Sequence, residues 1–361
     1  MQRIFAVGLL LAWSWCSTTC AAPISKLYVF GDSLSDNGNV LRLTTSGAIF
    51  DSDLVPRPKT PWYSEGRWTN GKDNTGSTTT DPKTTQSAYE GVWHEQLATK
   101  LGLDLAKPYL ENVSNANLAF GGATTAAGVV DNIPYVGGQL DLFFGQSPTI
   151  TATQLFLTWA GGNDLRDAAK ADGATKNSIK TAATTALDNM KAHITRLADA
   201  GARHFIWPNL PPLHLVPEFL SADATIRDGL KEAAEKFRDD QAAAVAMIRD
   251  NHADTEITVV DIYGLFLKVA ENPGAFGYTN VTQGIIDVPS FSAKAFAPTA
   301  NFTTQQDPDK FMFWDQLHPT ARTHALIAMK VRSLIPEPST LVLLVVLGVA
   351  CSQIRTKAER Q

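Results

Sequence analysis

From Leu27 onward, short β-favouring apolar runs alternate with longer helical patterns, and that rhythm is the signature of a parallel sheet covered by helices. The predicted strands are Leu27–Phe30, Ala116–Ala119, Gln154–Trp159, His204–Pro208 and Ile257–Ile262. Predicted helices lie at about Tyr89–Leu101, Asn177–Ala200, which stops at Gly201, and Ala224–His252. No internal repeat is present. With 361 residues, 44% of them hydrophobic and 19% charged, the chain has material for a real core in one large domain or two small ones.

The two ends break the rhythm. Arg3, an uncharged apolar run from Ile4 to Cys16 and small residues up to Ala22 have the layout of a secretory signal peptide, with cleavage expected after Ala21. At the other end, Pro338–Ile354 is a stretch of 17 residues without a charge, the lower limit for a membrane-spanning helix, followed by basic Arg355 and Lys357. The order Pro-Glu-Pro, apolar run, basic end resembles the PEP-CTERM sorting tail. That resemblance implies a Gram-negative bacterial source, export, transient inner-membrane association through the tail, removal by an exosortase-type processing enzyme, and a final place at the cell surface or in the extracellular matrix. The expected organisation is a signal peptide at 1–21, one domain at 22–335 and a tail at 336–361.

These ends bear on the chemistry. Cys16, Cys20 and Cys351 are the only cysteines and all fall in the removable segments, so the domain is expected to use no disulfide, thiolate metal site or cysteine nucleophile. Net charge is −5 for the whole chain and more negative once the ends are trimmed, which speaks against a nucleic-acid partner. Residues 44–88 and 273–310 are rich in turn-forming residues and read as long surface excursions, either a substrate-facing wall or tolerated insertions.

Chemistry-bearing residues cluster at predicted strand ends. In "YVFGDSLSDNGN" a strand gives way to turn residues at Ser33, where a nucleophile is often displayed, although Ser also caps helices well. "FWDQLHPT" places Asp315 three residues before His318, which could supply a base and a carboxylate to orient it, with a helix cap or a solvated pair as the alternative. "NLAFGGATT" and "FLTWAGGND" offer Gly121, Gly122 and the amide of Asn163 as donors for a developing oxyanion, with simple turns as the alternative. Ligands of open α/β sheets bind beyond the carboxyl ends of the strands, so these groups could converge on one crevice.

"FGDSLSDNGN", "NLAFGGATT", "AGGND" and "DQLHP" resemble, in order, the four motif blocks of the GDSL esterase/lipase family within the SGNH hydrolases, over about Lys26 to Ser333. The resemblance implies a three-layer α/β/α, flavodoxin-like fold with a central parallel sheet. It implies Ser33 as nucleophile, His318 as base, Asp315 as its orienting carboxylate, and an oxyanion hole of the Ser33 backbone N–H, Gly122 and Asn163. No cofactor or metal is implied. The segment Gly31–Ser35 lacks the second glycine of a GxSxG elbow.

Hydrolysis of a carboxylic ester through an acyl-enzyme is therefore expected, on a lipid, a short-chain ester or an acetylated polysaccharide. Acyl transfer by the same residues, and a non-catalytic matrix or binding protein on the same fold, are the alternatives. Among other candidates, His324 reads as a distal surface histidine. Asp32, Asp36, Asn37 and Asn39 miss the spacing of a calcium loop and read as Asx turns. Trp62, Trp68 and Trp93 read either as core or as a face for a sugar or acyl chain.

Overall fold

The computed structural model describes residues 24–47, 55–58, 60, 62–72, 84–114, 116–291 and 296–335. The signal peptide and sorting tail expected at 1–21 and 336–361 lie outside these residues. Among the described residues no helix is long and apolar enough to cross a membrane.

Four predicted strands form one parallel sheet in the order β1 (Lys26–Gly31), β2 (Gln154–Trp159), β3 (His204–Pro208) and β4 (Glu256–Val260). Lys26 pairs with Gln154 and Gly31 with Trp159, so β1 and β2 end level. Side chains of a strand point alternately to opposite faces, and all six residues of β2 are buried, so the sheet is covered on both sides. The last strand is shorter than expected at its end because Asp261 leaves it to cap the next helix, accepting from the Gly264 N–H at 2.9 Å.

The remaining predicted strand, Ala116–Ala119, is corrected. It runs beside β1 through bonds from Val29 N–H to the Ala116 carbonyl and from Leu118 N–H to the Val29 carbonyl, but forms only an isolated parallel bridge at Asn117. Its polar groups are diverted: the Asn39 amide donates to the carbonyls of Asn117 and Ala119, and the Asn117 carboxamide oxygen accepts from the Ala119 N–H. Counting this edge segment, the spatial order is second, first, third, fourth, fifth, the order of flavodoxin-like sheets.

Two short helices matter for the site, α1 (Asn39–Thr45) and α2 (Trp93–Leu101). The latter begins later than predicted because Gly91 takes a φ of 82° and Glu95 closes on the Val92 N–H. After α3 (Val136–Gly145), α4 (Gly162–Lys170) opens directly behind β2. The long helices α5 (Lys176–Asp199) and α6 (Ala224–Asn251) match the prediction, start at Thr175 and Asp223 caps, and pack on each other. They are followed by α7 (Ile262–Glu271) and α8 (Ala321–Arg332), the latter packed on α2.

Described residues of both excursions pack against the domain. Tyr63 and Trp68 from the first, and Ile285, Ile286, Phe296 and Trp314 from the region of the second, form a smaller apolar core with Val40 and Phe120. It is braced by the strand pair β5 (Asn280–Gly284) and β6 (Phe311–Phe313). This second core backs the residues described next.

Candidate active site

Strand β1 ends at Gly31, where a Cβ would run into the carbonyl oxygen of Trp159. Gln139 closes the strand end by bonding both the N–H and the carbonyl of Gly31, at 2.9 and 2.8 Å. The Asp32 carbonyl then accepts from the N–H groups of Ser35 and Asp36, coiling the chain into a turn with Ser33 at its head.

The sequence "FWDQLHP" supplies the facing groups by a local device. Asp315 Oδ1 accepts from the N–H groups of Leu317 and His318, both at 2.7 Å, and Trp314 N–H closes on the His318 carbonyl at 2.8 Å. This turn brings His318 Nδ1 within 2.8 Å of Asp315 Oδ2 and leaves His318 Nε2 2.9 Å from Ser33 Oγ. An ionised Asp315 only accepts, so Nδ1 carries the proton and Nε2 accepts from the serine hydroxyl. Burial alone would raise the Asp315 carboxyl, but the His318 charge and the hydrogen bonds from His318 and Tyr63 outweigh it and hold the group below its ordinary value. The three predicted residues thus form one buried, hydrogen-bonded run, with exposures of 8% for Ser33, 3% for His318 and none for Asp315.

Asn163 lines the same cavity as Ser33 and His318, and Gly122 precedes the residue that Asn163 holds. Asn163 Nδ2 donates to the Ala123 carbonyl at 2.9 Å, tying the start of α4 to the residue after Gly122. Gly122 has a φ of 83°, a conformation that favours glycine, and neither its N–H nor that of Ser33 makes a hydrogen bond among the described residues. Asp36 fixes the distance between the two turns: it accepts from Gly38, Asn39 and Val40 on its own turn and from the Gly121 N–H at 2.9 Å across the gap. Asp164 adds a second tie by accepting from the Thr125 N–H and hydroxyl. The Asx-turn reading of Asp36 holds, with the addition that its carboxylate reaches a second loop.

Ser33, Asn163 and His318 open onto a narrow cavity of about 40 Å³ whose walls are apolar, among them Leu34, Leu210, Val216 and Leu317. At its rim Arg166 pairs with Glu218 at 2.7 Å and lies over the Phe291 ring at 5.7 Å. Asp32 also borders the cavity. Its carboxyl is pushed up to about 7 by burial, against the partial relief of the Leu34 N–H and the nearby His318.

His324 is corrected: it is fully buried, its Nδ1 accepts from the Trp93 N–H at 3.2 Å, and burial pushes it down to about 3. It makes no bond to Ser33. Of the tryptophans, Trp93 belongs to the main core, whereas Trp68 stacks on the His318 ring at 5.2 Å, with Phe291 edge-on to the same ring at 5.2 Å. Sequence reasoning passed over Tyr63 as a site residue. Its hydroxyl donates to Asp315 Oδ2 at 2.7 Å from 252 residues away, and no spacing rule links such positions.

The profile of the GDSL-like Lipase/Acylhydrolase family matches residues 27–331, a span that takes in every residue of this site. The chain belongs to that family. Membership makes this GDSL protein a hydrolase acting on esters. It is 23% identical over 356 residues to a GDSL esterase/lipase of Arabidopsis thaliana, covering 91% of this chain and 92% of that one. It is also 23% identical to the thermolabile hemolysin of Vibrio parahaemolyticus, covering 88% of this chain and 65% of that protein. Two solved structures, an acetyl xylan esterase (9% identity, TM-score 0.38) and an extracellular lipase of Streptomyces rimosus (13%, 0.37), each cover 86% of this chain and all of their own. At those scores the structural likenesses are too distant to bear on function.

Proposed function

We propose that this GDSL protein is an exported serine esterase. Ser33 Oγ attacks the ester carbonyl carbon while its proton passes to His318 Nε2. Asp315 holds the ring and stabilises the imidazolium, and the Ser33 N–H, Gly122 N–H and Asn163 amide receive the oxyanion. Collapse of the tetrahedral intermediate breaks the ester C–O bond, and the alcohol leaves with the proton from His318. Water, deprotonated by the same ring, then attacks the acyl-enzyme and releases the acid.

The observation that carries this reading is the continuous buried run from Ser33 Oγ through His318 to Asp315, with links of 2.9 and 2.8 Å. The apolar walls of the cavity beside Ser33 suit the acyl group of an ester. Export is proposed from the ends of the sequence, 1–21 as signal and 336–361 as sorting tail, so the ester belongs to a substrate met outside the cytoplasm.

Release of p-nitrophenol from acetate, butyrate and palmitate esters by the wild type and by Ser33→Ala tests the proposal. Turnover of at least one of the three esters, abolished by Ser33→Ala, is expected. Equal activity of the two proteins would overturn it. An alkyl ester formed in place of free acid when an alcohol is added would move the reaction from hydrolysis to acyl transfer.

A further inference from the structure

The first excursion reaches the site from a distance. Residues 62–72 are clamped to the turn that carries His318: Thr69 Oγ1 donates to the Pro319 carbonyl and Asn70 Oδ1 accepts from the Ala321 N–H, both at 2.8 Å. The same segment bridges to the nucleophile turn through Arg67 and Asn37, and Arg67 pairs bidentately with Glu95 of α2 at 2.7 Å. Burial would raise that carboxyl, but Arg67 outweighs it and holds Glu95 down at about 2. A tolerated insertion would have no need of ties to both halves of the site.

What the segment delivers is Tyr63, fully buried among the rings of Trp68, Phe296 and Trp314, with its hydroxyl 2.7 Å from Asp315 Oδ2. That is the oxygen to which His318 Nδ1 also donates. We propose that Tyr63 is a positioning residue that extends the catalytic relay to a fourth member, pinning Asp315 Oδ2 so that His318 is held in line with Ser33. Trp68, stacked on the imidazole face, supports the same ring from the side.

The chemistry suits the role. Two backbone N–H groups hold Oδ1, and Tyr63 adds to His318 a second donor on Oδ2, so both ends of the rigid carboxylate are pinned against rotation. Burial and the Asp315 charge push the phenol well above its ordinary range, so it remains a donor throughout the working pH. The other titratable groups around the pair are Asp287 beside Tyr63, Arg166 near Asp315, and Asp32 and His324 near His318. None of them is hydrogen-bonded to Asp315 Oδ2.

The inference rests on the serine-esterase reading, so its test has one arm that needs no turnover. Tyr63→Phe keeps the ring and deletes one hydroxyl. On p-nitrophenyl butyrate it is expected to lower kcat about tenfold, ~1.4 kcal/mol, with KM within about twofold of wild type. In an Asp315→Ala background the same substitution should change kcat by less than about twofold, because its partner is gone. An equal loss in both backgrounds, or no loss in the first, would overturn the proposal. Proton NMR of the His318 Nδ1–H supplies the other arm: its downfield resonance should shift in Tyr63→Phe, and an unmoved resonance refutes the role even for a protein that turns over no ester. A wild type without ester turnover whose resonance still shifts would sink the esterase reading and leave the Tyr63 contact standing.

Discussion

The sheet core and the smaller core built by the excursions meet at Ser33, and they are made in opposite ways. In the sheet, Tyr28, Phe156 and Phe205 stack from adjacent strands at 5.4 and 5.6 Å, each placed by the period of its own strand. In the second core, Val40, Tyr63, Phe120, Ile286, Phe296 and Trp314 come from separate segments with no common period. The sheet holds out Ser33, the proposed nucleophile, and Asn163, a proposed oxyanion donor, where β1 and β2 end, whereas the second core backs His318 and Asp315, the proposed base and its carboxylate. The site of this GDSL protein is therefore half a property of the sheet and half a property of loop segments held by buried aromatics and by polar ties.

The largest expected effect lies where the two regions join. Ser33→Ala should cost about 10⁴–10⁶-fold in kcat with folding unchanged, measured by ester turnover beside a thermal melt. On the sheet side alone, Asn163→Ala should cost about 10²–10³-fold in kcat, the size of one lost oxyanion donor, and a loss below about threefold would reduce Asn163 to tying α4 to Ala123.

A matched pair of core variants separates the regions directly. Phe156→Ala should destabilise the protein by about 3–5 kcal/mol while leaving kcat of the folded fraction nearly intact. Trp68→Leu should cost less stability, about 1–3 kcal/mol, yet lower kcat ~10–100-fold, because His318 loses the ring that fixes its plane. The same ratio of stability loss to activity loss in both variants would erase the distinction drawn above.

A pH-dependent effect concerns Asp32. Its carboxyl is raised from 3.8 to about 7 in the folded protein, so the folded chain binds that proton more tightly than the unfolded chain does. This contribution is present below the unfolded value and is lost as pH rises through the folded one, so stability should fall between about pH 4 and about pH 7. Asp32→Asn removes the titration, and its melting temperature should decline less over that window, by an amount on the order of 1–4 kcal/mol in stability. Parallel declines in the variant and the wild type would contradict the assignment.

How much of this was legible follows from the same contrast. The strands of the sheet and the helices α5 and α6 announce themselves through short apolar runs, caps and length, and Ser33, Gly122 and Asn163 could be picked out because sheet ends are where such turns fall. The Asp315–His318 pair was legible because its geometry is local. Helix α4 was not, since Gly162-Asn163-Asp164 reads as a turn and has no side-chain cap at its start. The segment at Ala116–Ala119 read as a regular strand because nothing in it foretells that Asn39 and its own Asn117 will take its polar groups. Tyr63 was invisible for a deeper reason: its partner is set by how two aperiodic segments pack, which no local pattern encodes.

The most direct measurement is to treat the full-length protein with an alkyl fluorophosphonate and locate the adduct by peptide mass spectrometry. Phosphonylation replaces the Ser33 hydroxyl proton with phosphorus and expels fluoride, and it requires His318 to take that proton. A single adduct on Ser33 that disappears in His318→Ala is the predicted result. A folded protein that takes up no label, or takes it at a different serine, would contradict the assignment of Ser33 as the nucleophile.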